Sequence, residues 1–205
     1  MRILFLVYKI EKDKGSEDAP SYNIIKRFIK KNNKITIISR SNNIKLLKKN
    51  KIYKKANLIP LEVPNLLSFY KKKNKGIILY YYLWQIMASK LVKTLQKKNN
   101  YDVIHVFNFH ADWCPHFLKN DYGKLIWGPI GHHDYVPSRF IKNNKLFSII
   151  SDKFKYFVKI LFWHFNPYLI SAIKNSDIIL YANNKLAKPF IKYKKKIILQ
   201  PYAGS

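Results

Sequence analysis

The feature that most constrains the fold is a regular alternation of short apolar runs with helix-length amphipathic segments. Residues 3–8 form a continuous apolar run, and residues 35–39 form a second run that is rich in β-branched residues. Between them, apolar residues at 24, 25, 28 and 29 recur at helical spacing, and Pro20 lies near the predicted helix start. Continuous apolar runs are typical of strands buried on both faces of a parallel sheet. The first forty residues therefore predict a strand–helix–strand unit.

The same alternation continues to the end of the sequence. It predicts further strands at 58–63, 103–107, 125–127, 177–181 and 197–199, and helices at 77–96, 113–118, 147–165, 168–174 and 185–192. Strands that alternate with helices indicate an α/β fold with a doubly wound parallel sheet. We expect one domain over residues 1–205, with ligands at the carboxyl ends of the strands.

The formal net charge of +28 is extreme, and lysine supplies nearly all of it. Arginine occurs at only four positions, whereas a specific nucleic-acid reader uses arginine for paired contacts to guanine and phosphate. We therefore favour a compositional bias spread over solvated faces, and expect no specific nucleic-acid partner. Attraction to an anionic membrane surface is compatible with the same charge.

The number of cysteines and the length of the uncharged runs indicate where in the cell the protein is located. Cys114 is the single cysteine, which excludes an intramolecular disulfide and favours a reducing environment. The longest uncharged runs, 76–89 and 160–173, are shorter than a membrane span requires. We expect a cytoplasmic protein that is peripheral on the inner face of the membrane if it touches one.

Residue types alone leave two glycine-containing segments open. The segment at Gly15 and Ser16 could admit a phosphate at a helix N-terminus, or it is an ordinary strand-to-helix loop. The segment from Gly128 to Asp134 predicts a tight turn that brings two histidines to a strand end. One histidine there could bind a sugar hydroxyl or a phosphate, or act as a base oriented by Asp134; otherwise the turn is a solvated surface.

Two further patterns have competing interpretations. His105, His110 and His116, with Asp112 and Cys114 nearby, match no zinc spacing, so we expect no metal site. His105 lies inside a predicted strand and is expected to face the core, whereas His110 follows the strand and can line a cleft. The aromatic and basic helix at 147–165 predicts core or interface packing first, and membrane-interface docking second.

Several spaced motifs occur in one order along the chain. They are Gly15-Ser-Glu17, Ser39-Arg-Ser-Asn-Asn43, Leu79-Tyr-Tyr-Tyr-Leu-Trp-Gln85, Tyr101-Asp-Val-Ile-His105 and Ile126-Trp-Gly-Pro-Ile-Gly131. In this order they resemble the N-terminal half of family-4 (group 1) glycosyltransferases of the GT-B fold, in the branch with GSEPG and WGPxGG motifs. The resemblance covers essentially the whole chain and implies a single Rossmann-like GT-B lobe.

The resemblance also implies an activity. It implies a retaining enzyme that moves a hexosyl group from a nucleotide-sugar to a glycan or lipid-linked acceptor, in polysaccharide or glycolipid assembly. In that family the N-terminal domain builds the acceptor side of the cleft. The C-terminal domain, which we expect to be absent from this chain, binds the donor with a pair of glutamates. The chain by itself is then expected to bind no nucleotide-sugar and to be inactive.

Individual residues can be matched to the family's motifs. Gly15 and Ser16 match the loop that approaches the donor phosphates, and Gly128 and Gly131 match the turn that supplies backbone near the transferred sugar. In this turn the resemblance implies that a histidine hydrogen bonds to the donor sugar rather than acting as nucleophile. The set of candidate residues is His132 and His133 for catalysis, with His105, His110 and Asp134 on the acceptor side.

The chain departs from the family's motifs at two places. The first motif has become Gly15-Ser-Glu-Asp-Ala-Pro-Ser-Tyr22, which removes a glycine near the phosphates, and the glycine turn now ends in Gly131-His-His-Asp134. We therefore keep three hypotheses: the acceptor half of an enzyme completed by a separate donor-binding domain, a non-catalytic truncated remnant, and a basic membrane-surface binding module.

Overall fold

The structure, a computed structural model, describes residues 1–11, 15–68, 76–107, 111–121, 123–132 and 146–200. Its strands are β1 (Arg2–Val7), β2 (Lys34–Ser39), β3 (Asn57–Pro60), β4 (Val103–Phe107), β5 (Lys124–Ile130), β6 (Ile178–Tyr181) and β7 (Ile197–Leu199). Its helices are α1 (Gly15–Lys30), α2 (Ser41–Lys48), α3 (Asn65–Ser68), α4 (Ile77–Asn99), α5 (Leu146–Phe165), α6 (Pro167–Asn175) and α7 (Lys188–Ile191). Two short 3-10 helices lie at Tyr53–Lys55 and Lys194–Lys196.

All seven strands form one parallel sheet in the order β3-β2-β1-β4-β5-β6-β7. The chain builds outward from β1 to β3 and then returns to β4 on the other side of β1. This reversal is the topological switch point, outside which ligands bind in open α/β sheets. The predicted α/β class with a doubly wound parallel sheet is confirmed.

Each face of the sheet has its own apolar core, because side chains alternate along a strand. On β1, Leu4 and Leu6 pack with the buried side chains of α4 and α6, whereas Phe5 and Val7 pack with those of α1 and α2. The largest fully buried side chain on α4 is Trp84, whose Nε1 donates to the carbonyl of Leu61 at 2.8 Å. The two cores hold the sheet rigid beneath the loops at its carboxyl edge.

Two local predictions are wrong. The predicted helix at 113–118 is irregular backbone, since Tyr81 donates its hydroxyl to the carbonyl of Pro115 at 3.1 Å and His116 accepts from the backbone N–H of Leu118. The predicted tight turn at 128–131 is instead the last part of β5, which runs through Ile130. In both places, contacts with distant segments hold the backbone in a conformation that the local spacing of residues does not indicate.

The bounds of other elements differ from the predictions by several residues. Helix α1 begins at Gly15, so that Pro20 lies inside it rather than near its start. The predicted strand at 58–63 is the shorter β3, and the predicted helix at 185–192 is reduced to α7. No helix in the described part of the chain is long and apolar enough to cross a membrane.

Candidate functional site

A buried polar cluster lies at the carboxyl ends of β4, β5 and β6. Its centre is Asp112, which follows β4 and is only 1% exposed. Asp112 Oδ2 accepts from His132 Nδ1 at 2.9 Å and from the Tyr181 hydroxyl at 2.6 Å, while its Oδ1 accepts from Trp163 Nε1 at 3.1 Å. Three donors around one carboxylate are the arrangement that a buried negative charge requires.

The contact to Asp112 determines how the His132 ring is used. A carboxylate accepts hydrogen bonds, so Nδ1 of the ring carries the proton and Nε2 is the atom that points away from Asp112. In the neutral ring this Nε2 has a lone pair, and in the charged ring it has an N–H. An imidazole oriented in this way can accept a proton or donate a hydrogen bond to an oxygen of a substrate.

The backbone and ring of His132 are also fixed. Asn183, just after β6, accepts from the His132 backbone N–H at 3.1 Å and donates to the His132 carbonyl at 2.7 Å. The ring packs on the indole of Trp163 from α5, with centroids 4.8 Å apart and planes 33° apart. Helix α5 and the loop after β6 together leave the imidazole one orientation.

Backbone contacts between β4 and β5 bring Asp112 and His132 together. Ala111 pairs with Gly131 in an isolated parallel bridge, and the Asp112 N–H donates to the Gly131 carbonyl at 3.3 Å. These contacts extend the parallel ladder one step beyond the regular strands. Asp112 and His132 therefore occupy adjacent positions at the rim of the sheet, although 20 residues separate them in sequence.

Gly128 is explained by packing between strands. It has a φ of +119°, and a Cβ placed on it would lie 2.3 Å from the carbonyl oxygen of Leu180 in β6. Only glycine permits this approach of β5 to β6. The predicted contacts of Gly128 and Gly131 with a donor remain predictions, and Gly131 serves here as the acceptor for the Asp112 N–H.

His105 lies in the core rather than at a surface. Its Nε2 donates to the carbonyl of Gly128 at 2.8 Å, and its ring stacks on Phe107 with centroids 4.1 Å apart. Burial lowers the pKa of His105 to about 4, so the ring is neutral at pH 7. The expectation that this strand residue faces the core agrees with the structure, and its acceptor-side role remains a prediction.

His116 is also a neutral structural histidine. Its Nδ1 accepts from the backbone N–H of Leu118 at 3.2 Å and its Nε2 donates to the Ser176 hydroxyl at 3.0 Å. Burial lowers its pKa to about 3. The ring therefore ties the loop after β4 to the end of α6. No group of three or more acidic, histidine or cysteine side chains in the described ranges could hold a metal ion.

The remaining predicted residues are less informative. Gly15 and Ser16 form the first turn of α1, which follows β1 at the carboxyl edge of the sheet, as the predicted phosphate loop requires. His110, His133 and Asp134 lie outside the described residues. Their predicted roles, and the donor-side roles of Gly15 and Ser16, remain predictions.

A second polar feature lies at the same edge, beside β1 and β2. The Arg40 guanidinium lies 5.5 Å from the ring centroid of Tyr8 and 5.3 Å from that of Tyr80, and its Nε is 3.7 Å from Glu62 Oε2. The Tyr80 hydroxyl donates to the Glu62 carboxylate. Burial, and then this hydrogen bond, raise the pKa of Tyr80. A planar cation held between phenol rings can donate to hydroxyl or phosphate oxygens.

The sequence patterns do not indicate the other residues of the cluster around His132. Asp112 stands out only as a neighbour of possible metal ligands, and Tyr181, Trp163 and Asn183 carry no signal of a site. They come from different strands and from α5, so no spacing along the chain connects them. The one available signal was their position just beyond predicted strands, where parallel strands present residues to a common edge.

No protein-family model matches the chain, and no curated protein matches it significantly. In structure it is similar to UGT89C1 from Arabidopsis thaliana, solved as a complex with UDP-L-rhamnose, with a TM-score of 0.52 and 11% identity. The match covers 99% of this chain and 52% of UGT89C1.

A second solved structure is matched more weakly. CalG4, the calicheamicin glycosyltransferase, has a TM-score of 0.47 and 11% identity, over 98% of this chain and 52% of CalG4. The match to UGT89C1 concerns the fold alone, and it confirms the predicted Rossmann-like lobe of the GT-B type. The chain spans about half the length of both solved proteins.

Proposed function

We propose that this lobe is part of a retaining glycosyltransferase that moves a sugar from a nucleotide-sugar to a glycan or lipid-linked acceptor. The motif order and the Rossmann-like sheet support the class of enzyme. The polar side chains at the carboxyl edge of the sheet support the position of the active site. A donor-binding domain, on the same or a separate chain, supplies the other wall of the cleft.

One observation carries the proposal: the buried hydrogen bond between Asp112 and His132 at the rim of the sheet. Asp112 holds the imidazole in one tautomer, and His132 Nε2 hydrogen bonds to a hydroxyl of the transferred sugar. As the bond to the nucleotide breaks, this contact positions the sugar without forming a covalent bond to it. His132 is therefore a binding residue of the reacting sugar, and Asp112 is its positioning residue.

The other candidate residues extend the cleft along the same edge. We place the donor phosphates beside the first turn of α1, where backbone N–H groups and the helix dipole favour anions. The acceptor lies towards Arg40, whose guanidinium is held at the ends of β1 and β2. The lobe then contributes orientation and electrostatics, whereas most of the donor's binding energy comes from the second domain.

The test measures sugar transfer by the chain together with the donor-binding domain that completes it. A panel of radiolabelled nucleotide-sugars is offered with a lipid extract of the host. We expect His132→Ala to lower kcat roughly 100-fold, because one transition-state hydrogen bond is lost. His164→Ala, which removes an exposed histidine from α5, is the matched control and should keep wild-type turnover.

The outcomes are distinct. Wild-type turnover by His132→Ala would remove this residue from the site while leaving the enzyme class intact. An absence of transfer from every donor by the completed protein would contradict the enzyme and favour the non-catalytic remnant. Robust transfer by the 205-residue chain without any added domain would refute the proposal that the cleft needs a second wall.

A further inference from the structure

Helix α5 carries an apolar stripe on its outer face. The stripe consists of Ile150, Phe154, Phe157, Leu161 and Phe165, which are 57%, 65%, 53%, 39% and 77% exposed. Their spacings of three and four residues place all five on one side of the helix. Large apolar side chains scattered singly over a surface are ordinary, but a continuous aromatic row on one helix marks an interaction surface.

The stripe is separate from the side chains that attach α5 to the protein. Trp163 is buried, and Tyr156 and Ile160 pack partly buried against the same core. This inner face confirms the predicted packing role of the helix. The helix is thus apolar on two sides, and only one of them is covered within the described structure.

A neighbouring element extends the apolar surface. At the first turn of α4, Ile78 and Leu79 are 45% and 53% exposed. Together with Tyr82 they line an apolar depression that also includes Phe162 of α5. Phe162, which follows Leu161 of the stripe in sequence, therefore shares this depression with the start of α4.

Positive charge predominates on this helix. Lys153 neighbours Ile150 and Phe157 of the stripe, whereas Lys155 and Lys159 lie on the side of the helix away from it. Asp152 is the single acidic residue in α5. The protein as a whole carries a formal charge of +28. An exposed apolar helix face on a lysine-rich protein suits the interface of an anionic bilayer. A second copy of this chain would bring like charges together, which opposes self-association at the same surface.

We propose that the outer stripe of α5, with the first turn of α4, docks on the surface of an anionic membrane. Phe154, Phe157 and Phe165 enter the headgroup and acyl boundary, while Lys153 beside them contacts lipid phosphates. On the opposite side of the same helix, Trp163 donates to Asp112. Docking would place the polar cluster about one helix diameter, roughly 10 Å, from the membrane surface.

The test must separate insertion from general attraction, because a chain of this charge adsorbs to any anionic surface at low salt. The chain is mixed with phosphatidylglycerol–phosphatidylcholine vesicles, and co-flotation is measured up to about 0.5 M salt, where long-range attraction is screened. We expect a salt-resistant bound fraction for the wild type. Phe154→Ser/Phe157→Ser should weaken this fraction roughly tenfold, since two inserted rings are lost.

A matched variant controls for the loss of exposed apolar area. Leu46→Ser/Leu199→Ser removes two side chains that are about half exposed but lie on α2 and β7. It should keep wild-type flotation. As a second readout, an environment-sensitive fluorophore on Phe154→Cys should shift to the blue on vesicles, whereas the same fluorophore on Leu46→Cys should not. Cys114 is buried and does not compete for the label.

Three results would overturn the proposal. Equal loss of flotation with salt in both double variants would show adsorption by charge alone. An unshifted Phe154→Cys label on bound protein would show that the stripe stays in water. A stable dimer in which the label is protected, without vesicle binding, would assign the stripe to a second copy. None of these readouts depends on sugar transfer, so they do not test the enzyme.

Discussion

Asp112→Asn is the most informative single substitution, because it keeps the shape of the side chain and changes only its hydrogen bonding. The carboxylate accepts from His132, Tyr181 and Trp163. An asparagine has one acceptor oxygen and one NH₂ group, so it cannot satisfy donors on both sides. If its oxygen takes the Oδ2 position, His132 and Tyr181 keep their acceptor. The NH₂ group then faces the indole N–H of Trp163.

The expected cost follows from this geometry. One hydrogen bond to a charged group is lost, which is worth about 1.5–3 kcal/mol. The new NH₂ group and the Trp163 indole N–H then face each other without an acceptor. Because neither group can reach water, this adds about 1 kcal/mol or more to the loss of stability. We therefore expect Asp112→Asn to lower the free energy of unfolding by about 3 kcal/mol. Tyr181→Phe also removes one hydrogen bond to the carboxylate but opposes no two donors, so its cost should be about 1.5–3 kcal/mol.

The assay is urea unfolding followed by circular dichroism, with comparison of midpoints at unchanged slope. A double-mutant cycle gives the sharper result. Trp163→Phe removes both the hydrogen bond to Asp112 and the opposed N–H, so Asp112→Asn should lose most of its cost of about 3 kcal/mol in that background. A cost of Asp112→Asn below about 0.5 kcal/mol, or strict additivity in the cycle, would refute the described cluster.

Two further predictions concern the core beneath the site. Gly128→Ala should abolish stable folding or lower the free energy of unfolding by more than about 4 kcal/mol. The added methyl group would meet the carbonyl oxygen of Leu180 in the neighbouring strand β6. Unfolding of this variant at the wild-type urea midpoint would contradict the prediction. Burial lowers the pKa of His105 to about 4 and that of His116 to about 3. As the pH falls below about 6.5, the unfolded chain therefore binds up to two more protons than the folded protein. Stability should be full above that pH and should decline below it, with a slope approaching about 2.7 kcal/mol per pH unit. His116→Gln should roughly halve the slope, and an unchanged slope would exclude the assignment.

Sequence patterns were sufficient for the central strands and the long helices. Strands β1, β2 and β4 are buried on both faces, so their residues are mostly apolar and the strands can be recognised without information from elsewhere in the chain. Helices α4 and α5 are long enough for a period near 3.6 to be evident. The order of these elements alone predicts a parallel sheet.

The predictions that failed depend on contacts between distant segments. Residues 113–118 have helical spacing, but Pro115 and His116 are held by Tyr81 of α4 and Ser176 at the end of α6. Residues 128–131 contain two glycines and a proline, which indicate a turn; instead the glycine at 128 allows β5 to continue against β6. Local propensity decided neither segment, because tertiary hydrogen bonds and close strand packing outweighed it.

The sequence by itself determined that a histidine stands at the carboxyl end of β5, because strand ends can be recognised from hydrophobic runs. Only the tertiary structure decided which acid holds that histidine. Asp112 follows β4 and Trp163 lies in α5, and both contact the His132 ring, while Tyr181 of β6 donates to Asp112. No periodicity links residues so far apart in sequence. The physical reason is that a parallel sheet brings the ends of all its strands to one edge. Neighbours at that edge are set by strand order, which depends on how the whole chain packs.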